Sequence, residues 1–316
     1  TFMNQVEGED MEIILANTII GLSRYLHEQL FDLIVVHGDR VEALAAATVG
    51  ALRNIRVAHI EGGELSGTVD ELMRHAISKL SHLHFVASDE ARKRLIQLGE
   101  NAKSVFTIGS PNIDVMLSKD LPPLAETKQR YEIDFEHYGI AILHPVTTEQ
   151  EFQPAHARVF VNALLSSKLN YVVVYPNNDS GSDLIFAELE RLKDLPQFRI
   201  FPSLRFEYFL TLLKNSSFMI GNSSAGIHEA PIYGIPAINL GSRQNMRFKH
   251  QSIFDVPFSL EAILDTIQHL GLHSRFPPSH HFGDGQSAVK FIQALQSDIW
   301  TVSSQKTFCE LGSCDV

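Results

Sequence analysis

Side chains that can move protons or hold phosphate recur along this 316-residue chain, directly after its apolar runs. Carboxylates held near one another can have their pKa values pushed apart, so that one serves as an acid and another as a base. Arginine side chains and backbone N–H groups are suited to hold a diphosphate leaving group. The side chains placed in this way are Asp39, Arg40, Glu61, Asp70, His144, Asn177, Ser223, Ser224, Glu229 and Arg243, together with His37, His59, Glu64 and Arg74.

The most informative segment is 221–229, Gly-Asn-Ser-Ser-Ala-Gly-Ile-His-Glu, which follows the apolar run 218–220. It predicts the end of a buried strand and then a helix that Pro231 breaks early. Such a junction presents free backbone N–H groups and a positive helix end, where phosphate is the usual anion. Glu229 would then lie where a ribose can donate hydrogen bonds to it. An ordinary junction capped by serine is an equally simple interpretation.

Plain structural roles remain open for several of the other polar residues. Asp39 is suited to cap the helix that follows it, and Glu61 lies beside a glycine pair, as a solvated turn residue would. His144 precedes a proline and is also compatible with an ordinary turn. The spacing of His82 and His84 resembles that of metal ligands, but no Cys or acidic partner pattern accompanies them, so a role in packing or at a sheet edge is predicted. A functional site is favoured because so many polar residues recur at predicted strand ends.

Apolar runs of strand length alternate with helical segments through most of the chain. This alternation is typical of parallel sheets that carry helices on both faces. The pattern breaks over 117–137, where Leu121-Pro122-Pro123 stops a helix and charged residues accumulate, as expected for a linker between domains. The predicted strands cover 31–36, 56–60, 83–87, 105–108, 139–143, 171–175, 198–201, 218–220 and 235–240, and the predicted helices cover 11–29, 41–52, 68–80, 90–98, 155–166, 184–192, 206–213 and 288–300.

The expected fold class is α/β, with two Rossmann-like parallel-sheet domains. The two domains are expected to face one cleft, because ligands of such sheets bind outside the carboxyl ends of the strands. The N-terminal domain is expected to cover 1–117. The C-terminal domain is expected to cover 125–285, and 301–316 to form a tail. No strand precedes the helix at 11–29, so the first βα unit of the N-terminal domain is missing from the pattern.

Composition narrows the possible partners. The net charge of −11 argues against a nucleic-acid or anionic-membrane partner, although a local basic pocket can still take phosphate. The sequence has no apolar run of membrane-spanning length and no secretory signal pattern, which predicts a cytoplasmic protein. The two cysteines, Cys309 and Cys314, lie in the last few residues and give only weak support for a metal, so no metal site is predicted.

Six motifs combine in an order that is specific to one family. They are His37-Gly-Asp-Arg40, His59-Ile-Glu-Gly-Gly-Glu-Leu-Ser-Gly-Thr68, Arg74-His-Ala-Ile-Ser-Lys79, His144-Pro-Val-Thr-Thr148, Gly221-Asn-Ser-Ser-Ala-Gly226 and Asn239-Leu-Gly-Ser-Arg-Gln244. From about residue 12 to about residue 295 the chain resembles the hydrolysing UDP-N-acetylglucosamine 2-epimerases. These comprise the bacterial sialic-acid enzymes and the epimerase half of an animal bifunctional enzyme. The Glu-Gly-Gly-Glu-Leu-Ser-Gly-Thr stretch is the most specific part.

The resemblance implies the two-domain glycosyltransferase-B fold, with UDP held mainly by the second domain. It also implies that the terminal helix 288–300 crosses back to join the N-terminal domain. It also implies anti elimination of UDP to give a 2-acetamidoglucal, syn addition of water to give N-acetylmannosamine, no cofactor, and a homodimer or homotetramer. The positions that match catalytic residues of the family are Asp39, Glu61, Asp70 and His144, and those that match or adjoin its substrate-binding residues are Arg40, Asn177, Ser223, Ser224, Glu229 and Arg243.

Within this hypothesis, Asp39 and Glu61 serve the C2 proton and the elimination, and Asp70 assists hydration. His144 and Arg243 steady the leaving diphosphate. The family opens with a strand and a Gly-Thr-Arg-type turn that this sequence lacks, so this chain is expected to be either the ordered part of a longer protein or a truncated form.

Several alternatives remain open. The same chemistry could act on a UDP-2,4-diacetamido-trideoxyhexose of a legionaminic-type pathway, because the contacts that discriminate are to C4 and C6 of the sugar. A non-hydrolysing epimerase is disfavoured by the Glu-Gly-Gly-Glu stretch, and a glycosyltransferase by the carboxylates clustered in the first domain. A non-catalytic UDP-sugar binder is the alternative of another class.

Overall fold

The structure, a computed structural model, describes residues 10–65, 69–177, 181–244 and 248–310. The chain forms two compact units. Unit 1 comprises residues 1–117 together with 281–316, and unit 2 comprises residues 118–280. Among the residues described, no helix is both long enough and apolar enough to cross a membrane.

Unit 1 is built on a parallel sheet of four strands whose spatial order follows the sequence, β1-β2-β3-β4. The strands are β1 (Leu33–His37), β2 (Arg56–Ile60), β3 (Leu83–Val86) and β4 (Val105–Thr107). The helices are α1 (Met11–Glu28), α2 (Val41–Leu52), α3 (Val69–Leu80), α4 (Asp89–Gln97), α5 (Pro111–Met116) and, near the C-terminus, α12 (Ser287–Leu295).

The core of unit 1 explains why the terminal helix belongs to it. All four residues of β3 are buried, as expected for a central parallel strand. The ring of Phe85 in β3 stacks on Phe106 of β4. It also meets the ring of Phe291 in α12 edge to face, with the centroids of Phe85 and Phe291 4.6 Å apart. Helix α12 therefore covers one face of the sheet with aromatic contacts that bury a large apolar area.

Unit 2 is built on a parallel sheet of six strands in the order β10-β9-β8-β5-β6-β7. The strands are β5 (Gly139–Ile142), β6 (Tyr171–Val174), β7 (Phe198–Phe201), β8 (Phe218–Gly221), β9 (Ala237–Leu240) and β10 (Ile253–Val256). The helices are α6 (Leu124–Arg130), α7 (Gln153–Ser167), α8 (Ser182–Leu189), α9 (Phe206–Lys214), α10 (Ala225–His228) and α11 (Leu260–Leu270).

Strand β5 shows how the sheet of unit 2 is buried on both faces. Ile140 and Ile142 belong to one apolar cluster, whereas Ala141 and Leu143 belong to another. Because successive side chains of a strand point to opposite faces, the two clusters lie on opposite sides of the sheet. The predicted fold class, α/β with two parallel sheets, is confirmed.

Several elements differ from the sequence interpretation. The segment 117–137 is not a plain linker, because it contains α6, with Thr127 fully buried. Pro123 precedes this helix rather than ending one, and proline is tolerated there because the first N–H groups of a helix lack intrahelical partners. Strand β10 and helix α11 were not predicted. The terminal helix ends at Leu295, and a separate 3-10 turn covers Asp298–Thr301.

Candidate functional site

In unit 1 the pairing of β1 with β2 brings two predicted site segments together. His37 lies opposite Ile60 in the register, so Glu61 follows directly beside it. The Nε2–H of His37 donates to Oε2 of Glu61 at 2.7 Å. Glu61 adopts a left-handed backbone with φ of +62°, a conformation that costs free energy for a residue with a Cβ and often marks functional sites.

The contact shifts the pKa values of both groups in opposite directions. Burial alone would raise the pKa of Glu61, but hydrogen bonds from His37 and Ser110 and the nearby positive charges hold it below its usual value. The hydrogen bond to Glu61 raises the pKa of His37 against the opposing effect of burial. Near neutral pH, Glu61 is therefore a carboxylate, and the His37 imidazole beside it binds a proton more readily than an ordinary histidine.

Arg74 pairs with Asp39 and lies on the same helix as Asp70. The guanidinium of Arg74 in α3 forms a short ion pair with the carboxylate of Asp39. Asp70 lies four residues before Arg74 on the same helix, so both side chains belong to the same helix face. The buried Nε of Arg74 has no hydrogen-bond partner among the residues that the structure describes.

Arg40 and Asp70 line the same space within unit 1. A cavity of about 450 Å³ has both residues in its wall, together with Glu42 and Met73. Arg40 occupies the N-cap position of α2, directly after Asp39. The structure thus groups the four predicted residues of unit 1 around the ends of β1 and β2 and the start of α3.

His59, which the sequence marked only as a polar residue near a strand end, is completely buried in β2. Its Nε2–H donates to the carbonyl oxygen of Gly38 at 2.8 Å, and its Nδ1 accepts from the hydroxyl of Ser78 at 3.0 Å. Burial is the main reason that its pKa falls to about 3. His59 is therefore a neutral cross-link that holds the turn carrying Asp39.

Glu64 differs from Glu61 in its surroundings. Its Oε1 accepts a long hydrogen bond from the hydroxyl of Ser88 at 3.3 Å. Burial raises the pKa of Glu64 in spite of the opposing charges of Arg94 and Arg74. Two carboxylates of one motif thus have pKa values displaced in opposite directions, the arrangement that separates an acid from a base.

In unit 2 the strand order places the predicted residues along one edge of the sheet. Strands β6, β5, β8 and β9 are neighbours, and all four are parallel. Their carboxyl ends therefore lie side by side. The segments that follow them carry Asn177, His144, Ser223 with Ser224, and Arg243, respectively.

A single buried residue, Asn222, connects three of these segments through its side chain and its backbone carbonyl. The carboxamide of Asn222 donates from Nδ2 to the carbonyl oxygen of His144 at 2.8 Å and accepts the N–H of His144 at 2.7 Å. The backbone carbonyl of Asn222 accepts from Nη1 of Arg243 at 3.2 Å and from Nε2 of Gln244 at 2.8 Å. The backbone N–H of Asn177 donates to Nδ1 of His144 at 3.1 Å.

The predicted strand–helix junction exists, but its helix is short. Helix α10 covers only Ala225–His228, and a 3-10 turn follows over Ala230–Tyr233. Four residues carry only a small macrodipole, so the predicted positive helix end contributes little, and hydroxyl and N–H groups remain. Ser223 and Ser224 lie at the start of α10, with the hydroxyl of Ser223 accepting from the N–H of Ala225, and Glu229 follows its end.

Sequence reasoning missed the residues that hold the predicted ones in place. His37 and Arg74 were noted beside the carboxylates, but their direct pairing was not predicted. His59 and Asn222 act through buried contacts with residues at least 19 positions away, which spacing alone does not reveal. His82 and His84 are buried as predicted, and each bonds to its surroundings: His82 to backbone and His84 to Glu100.

Some predicted features fall outside the described residues. These are 66–68 of the most specific motif, 178–180 after β6, and 311–316 of the tail, which include Cys314. Over the parts of the chain that are described, no group of three or more His, Cys, Asp or Glu side chains is arranged to hold a metal ion.

Comparisons with known proteins agree on one family. Residues 1–296 match the family model described as UDP-N-acetylglucosamine 2-epimerase. A protein of Neisseria meningitidis serogroup B named UDP-N-acetylglucosamine 2-epimerase is 47% identical over 98% of this chain and 83% of its own length. A protein of Legionella pneumophila named UDP-N,N'-diacetylbacillosamine 2-epimerase (hydrolyzing) is 35% identical over 92% of this chain and 78% of its own length.

A solved structure shares the fold. The crystal structure of UDP-GlcNAc 2-epimerase from Neisseria meningitidis bound to UDP-GlcNAc superposes with a TM-score of 0.76 and covers 92% of this chain and 83% of that chain. Its sequence is only 18% identical, so the likeness concerns the fold.

Proposed function

Because the chain belongs to the UDP-N-acetylglucosamine 2-epimerase family, we propose that it is a hydrolysing member that converts UDP-N-acetylglucosamine and water to UDP and N-acetylmannosamine. In the first step a base removes the proton from C2, and the bond between C1 and the UDP oxygen breaks in the anti sense, giving 2-acetamidoglucal and UDP. In the second step water supplies hydroxide to C1 while an acid returns a proton to C2, in a syn addition. The product would supply sialic-acid biosynthesis.

The observation that carries the proposal is the pair of carboxylates in unit 1 with different partners. Asp39 is ion-paired with Arg74, whereas Glu61 is hydrogen-bonded to His37, which is itself able to hold a proton. An elimination followed by an addition needs a group that accepts a proton and a group that gives one back. We assign Asp39 and Glu61 to the C2 proton and the elimination, and Asp70 to hydration.

Unit 2 is proposed to hold the nucleotide. His144 and Arg243, both fixed to Asn222, would steady the diphosphate as its charge develops. Ser223 and Ser224 would bind phosphate through hydroxyl and N–H groups, and Glu229 the ribose hydroxyls. Asn177 of unit 2 and Arg40 of unit 1 are also assigned to substrate binding. A homodimer or homotetramer is part of the same proposal.

A second candidate substrate is a UDP-2,4-diacetamido-trideoxyhexose. It is favoured by the 35% identity with the Legionella pneumophila protein, whose name specifies a diacetylated sugar nucleotide and the hydrolysing reaction. The elimination and hydration would be the same, because they involve only C1 and C2. The two sugars differ at C4 and C6, so the residues assigned above do not distinguish them.

The test is incubation of the protein with UDP-N-acetylglucosamine in heavy water, followed by phosphorus and proton NMR. Free UDP together with N-acetylmannosamine deuterated at C2 is the expected result. An epimerised sugar still attached to UDP would contradict hydrolysis. Turnover of the diacetamido sugar nucleotide alone would favour the second substrate, and UDP binding without turnover of either would favour a non-catalytic binder.

A further inference from the structure

Asn222 is completely buried, and every polar group on it is engaged. Besides the four bonds described above, its backbone N–H donates to the carbonyl oxygen of Ile142 at 3.2 Å. A buried polar side chain is costly unless its donors and acceptors are satisfied, and satisfied networks specify one arrangement. The contacts of Asn222 therefore favour one arrangement of the residues around it.

The carboxamide bonds to the backbone of His144 in the way that a neighbouring strand would. It gives one donor and one acceptor to the N–H and C=O of the same residue. The ladder between β5 and β8 ends at Ile142 and Gly221, so the backbone no longer pairs at His144. Asn222 therefore extends the pairing by side chain and fixes the direction in which the chain leaves β5.

The orientation of the His144 ring follows from this backbone position. The N–H of Asn177 can only donate, so Nδ1 of His144 accepts and the proton of the neutral ring is on Nε2. A shift of the His144 backbone would move the ring away from the Asn177 N–H. The tautomer thus depends on the carboxamide one strand away.

Arg243 is oriented from the same residue. Its Nη1 donates to the carbonyl oxygen of Asn222, and the side chain of Gln244 donates to the same oxygen. A carbonyl is a neutral acceptor, so this bond orients the guanidinium without cancelling its charge. One residue consequently sets the positions of a cation and an imidazole that belong to different strand ends.

We propose that Asn222 is the positioning residue of the nucleotide site, holding His144 in its Nε2–H tautomer and Arg243 in the orientation that receives a nucleoside diphosphate. The inference rests on the proposed function for the identity of the ligand, but the geometry of His144 does not depend on it. Asn222 does not itself touch the ligand in this account. An aspartate of the same shape would lose the donor and place a carboxylate against the carbonyl oxygen of His144.

The test compares Asn222→Ala with Asn239→Ala. Asn239 is the matched control, because it is also a buried asparagine, in the neighbouring strand β9, and its Nδ2 donates to Oδ1 of Asp255 at 2.8 Å. The first readout is the Kd for UDP by calorimetry. The second readout is the tautomer of His144, measured by NMR on protein whose histidines are labelled with nitrogen-15. The signals of His144 are assigned by comparison with His144→Gln.

We expect Asn222→Ala to weaken UDP binding at least tenfold and to give a mixture of His144 tautomers. Asn239→Ala should leave the Kd within twofold and keep the Nε2–H form, even if both variants lose similar stability. Unchanged His144 signals in folded Asn222→Ala, or an equal loss of affinity in Asn239→Ala, would overturn the proposal.

Two further outcomes are assigned in advance. If the wild-type protein binds no UDP, the proposed function fails, and the His144 tautomer alone decides the role of Asn222. If Asn222→Ala does not fold, Asn222→Asp replaces it, because the aspartate fills the same space, keeps the acceptor for the His144 N–H and replaces the donor by a carboxylate oxygen. The same two readouts and the same control then apply.

Discussion

His37 and Glu61 join the ends of two neighbouring strands through one hydrogen bond, 2.7 Å between Nε2 and Oε2. The bond raises the pKa of the imidazole and lowers that of the carboxylate. It also links the residue before Gly38-Asp39 to the first residue of the Glu-Gly-Gly-Glu motif. The two motifs that the sequence placed at separate strand ends are thus joined by one hydrogen-bonded pair.

The first prediction concerns the pH dependence of stability at this pair. The pKa of His37 is raised above 6.5, so its contribution is complete below that pH and is lost as the pH rises through the folded pKa. The pKa of Glu61 is lowered below 4.5, so its contribution is lost only in acid. His37→Gln should therefore cost more unfolding free energy at about pH 6 than at about pH 9.

Urea denaturation at the two pH values measures this difference. Lys193→Gln is the control, because the pKa of Lys193 is raised above 10.5 by its exposed partner Glu190 and the amine stays charged over the range. A His37→Gln penalty that is constant with pH, or that grows towards alkaline pH, would show that the pair is not charged as described.

The second prediction separates chemistry from nucleotide binding. Asp39→Asn should reduce turnover of UDP-N-acetylglucosamine by about 10²–10⁴, the usual contribution of a positioned acid or base, while the Kd for UDP stays nearly unchanged. Asp89→Asn is the control, because Asp89 is an exposed carboxylate of the same unit that accepts from the hydroxyl of Thr107. This variant should leave turnover near the wild-type value. Equal losses of turnover and UDP affinity in Asp39→Asn would refute the assignment.

The third prediction follows from the buried, neutral His59. Its pKa is lowered to about 3, so the unfolded chain binds this proton first as the pH falls below 6.5, and the folded state loses stability there. The ideal slope for one proton is about 1.4 kcal/mol per pH unit. His59→Gln should be less stable at neutral pH but should lose less stability than the wild type between about pH 6.5 and pH 5.

Unfolding free energies of the two proteins at matched pH values check this. The glutamine amide can still donate towards Gly38 and accept from Ser78, so the variant is expected to fold. Parallel pH curves for the two proteins would mean that His59 is not the group that titrates on unfolding.

How far the sequence could predict the site depends on the kind of contact. The positions of Asp39 and Glu61 at strand ends follow from local patterns, because apolar runs and glycine turns show where parallel strands stop. The pairs His37 with Glu61 and Arg74 with Asp39 join residues 24 and 35 positions apart. Such pairs require the strand register and the helix face, which no local pattern contains.

The fold was easier to predict than its boundaries, for a related reason. The alternation of strands and helices is strong in the centre of each unit, where strands such as β3 are apolar throughout. Helix α6 was taken as part of a linker because its sequence is short and highly charged. Its helical structure is stabilised by packing, with Thr127 and the neighbouring Ile133 buried in unit 2, and tertiary packing is absent from a propensity argument.

The fourth prediction concerns Gly221, which ends β8 directly before Asn222. Its φ is +135°, and an added Cβ would overlap the carbonyl oxygen of Ile142 in the adjacent strand. Gly221→Ala should lower the free energy of unfolding by more than about 3 kcal/mol, because backbone atoms cannot move aside as a side chain can. Gly271→Ala is the control: its φ is also positive, at +63°, but no atom lies within 4 Å of the added carbon.

Thermal or urea unfolding of the two glycine variants separates strain from overlap. If the two penalties are equal, the left-handed backbone alone accounts for both, and the close approach of β5 to β8 at this point has no energetic consequence.

The fifth prediction concerns the C-terminal segment beyond α12. Glu100, whose side chain is 2% exposed, accepts from Lys306 at 2.6 Å, from Lys79 at 2.7 Å and from His84 at 2.9 Å. Lys306 also donates to the carbonyl oxygens of Ser78 and Ser81. These bonds attach the segment to unit 1 at a buried carboxylate whose pKa is lowered to about 2.

Lys306→Met should therefore destabilise the protein, because it leaves a buried carboxylate with fewer partners and removes one donor from each of two backbone oxygens. We expect a loss of about 1–3 kcal/mol at neutral pH, less than for a fully unpaired buried charge because Lys79 and His84 remain. The loss should shrink in acid, since the lowered pKa of Glu100 stabilises the folded state only while the carboxylate is ionised. Lys290→Met, which breaks the exposed pair with Asp284, should cost no more than about 0.5 kcal/mol. Equal penalties for the two lysine variants in urea titrations would show that the bonds of Lys306 do not stabilise unit 1.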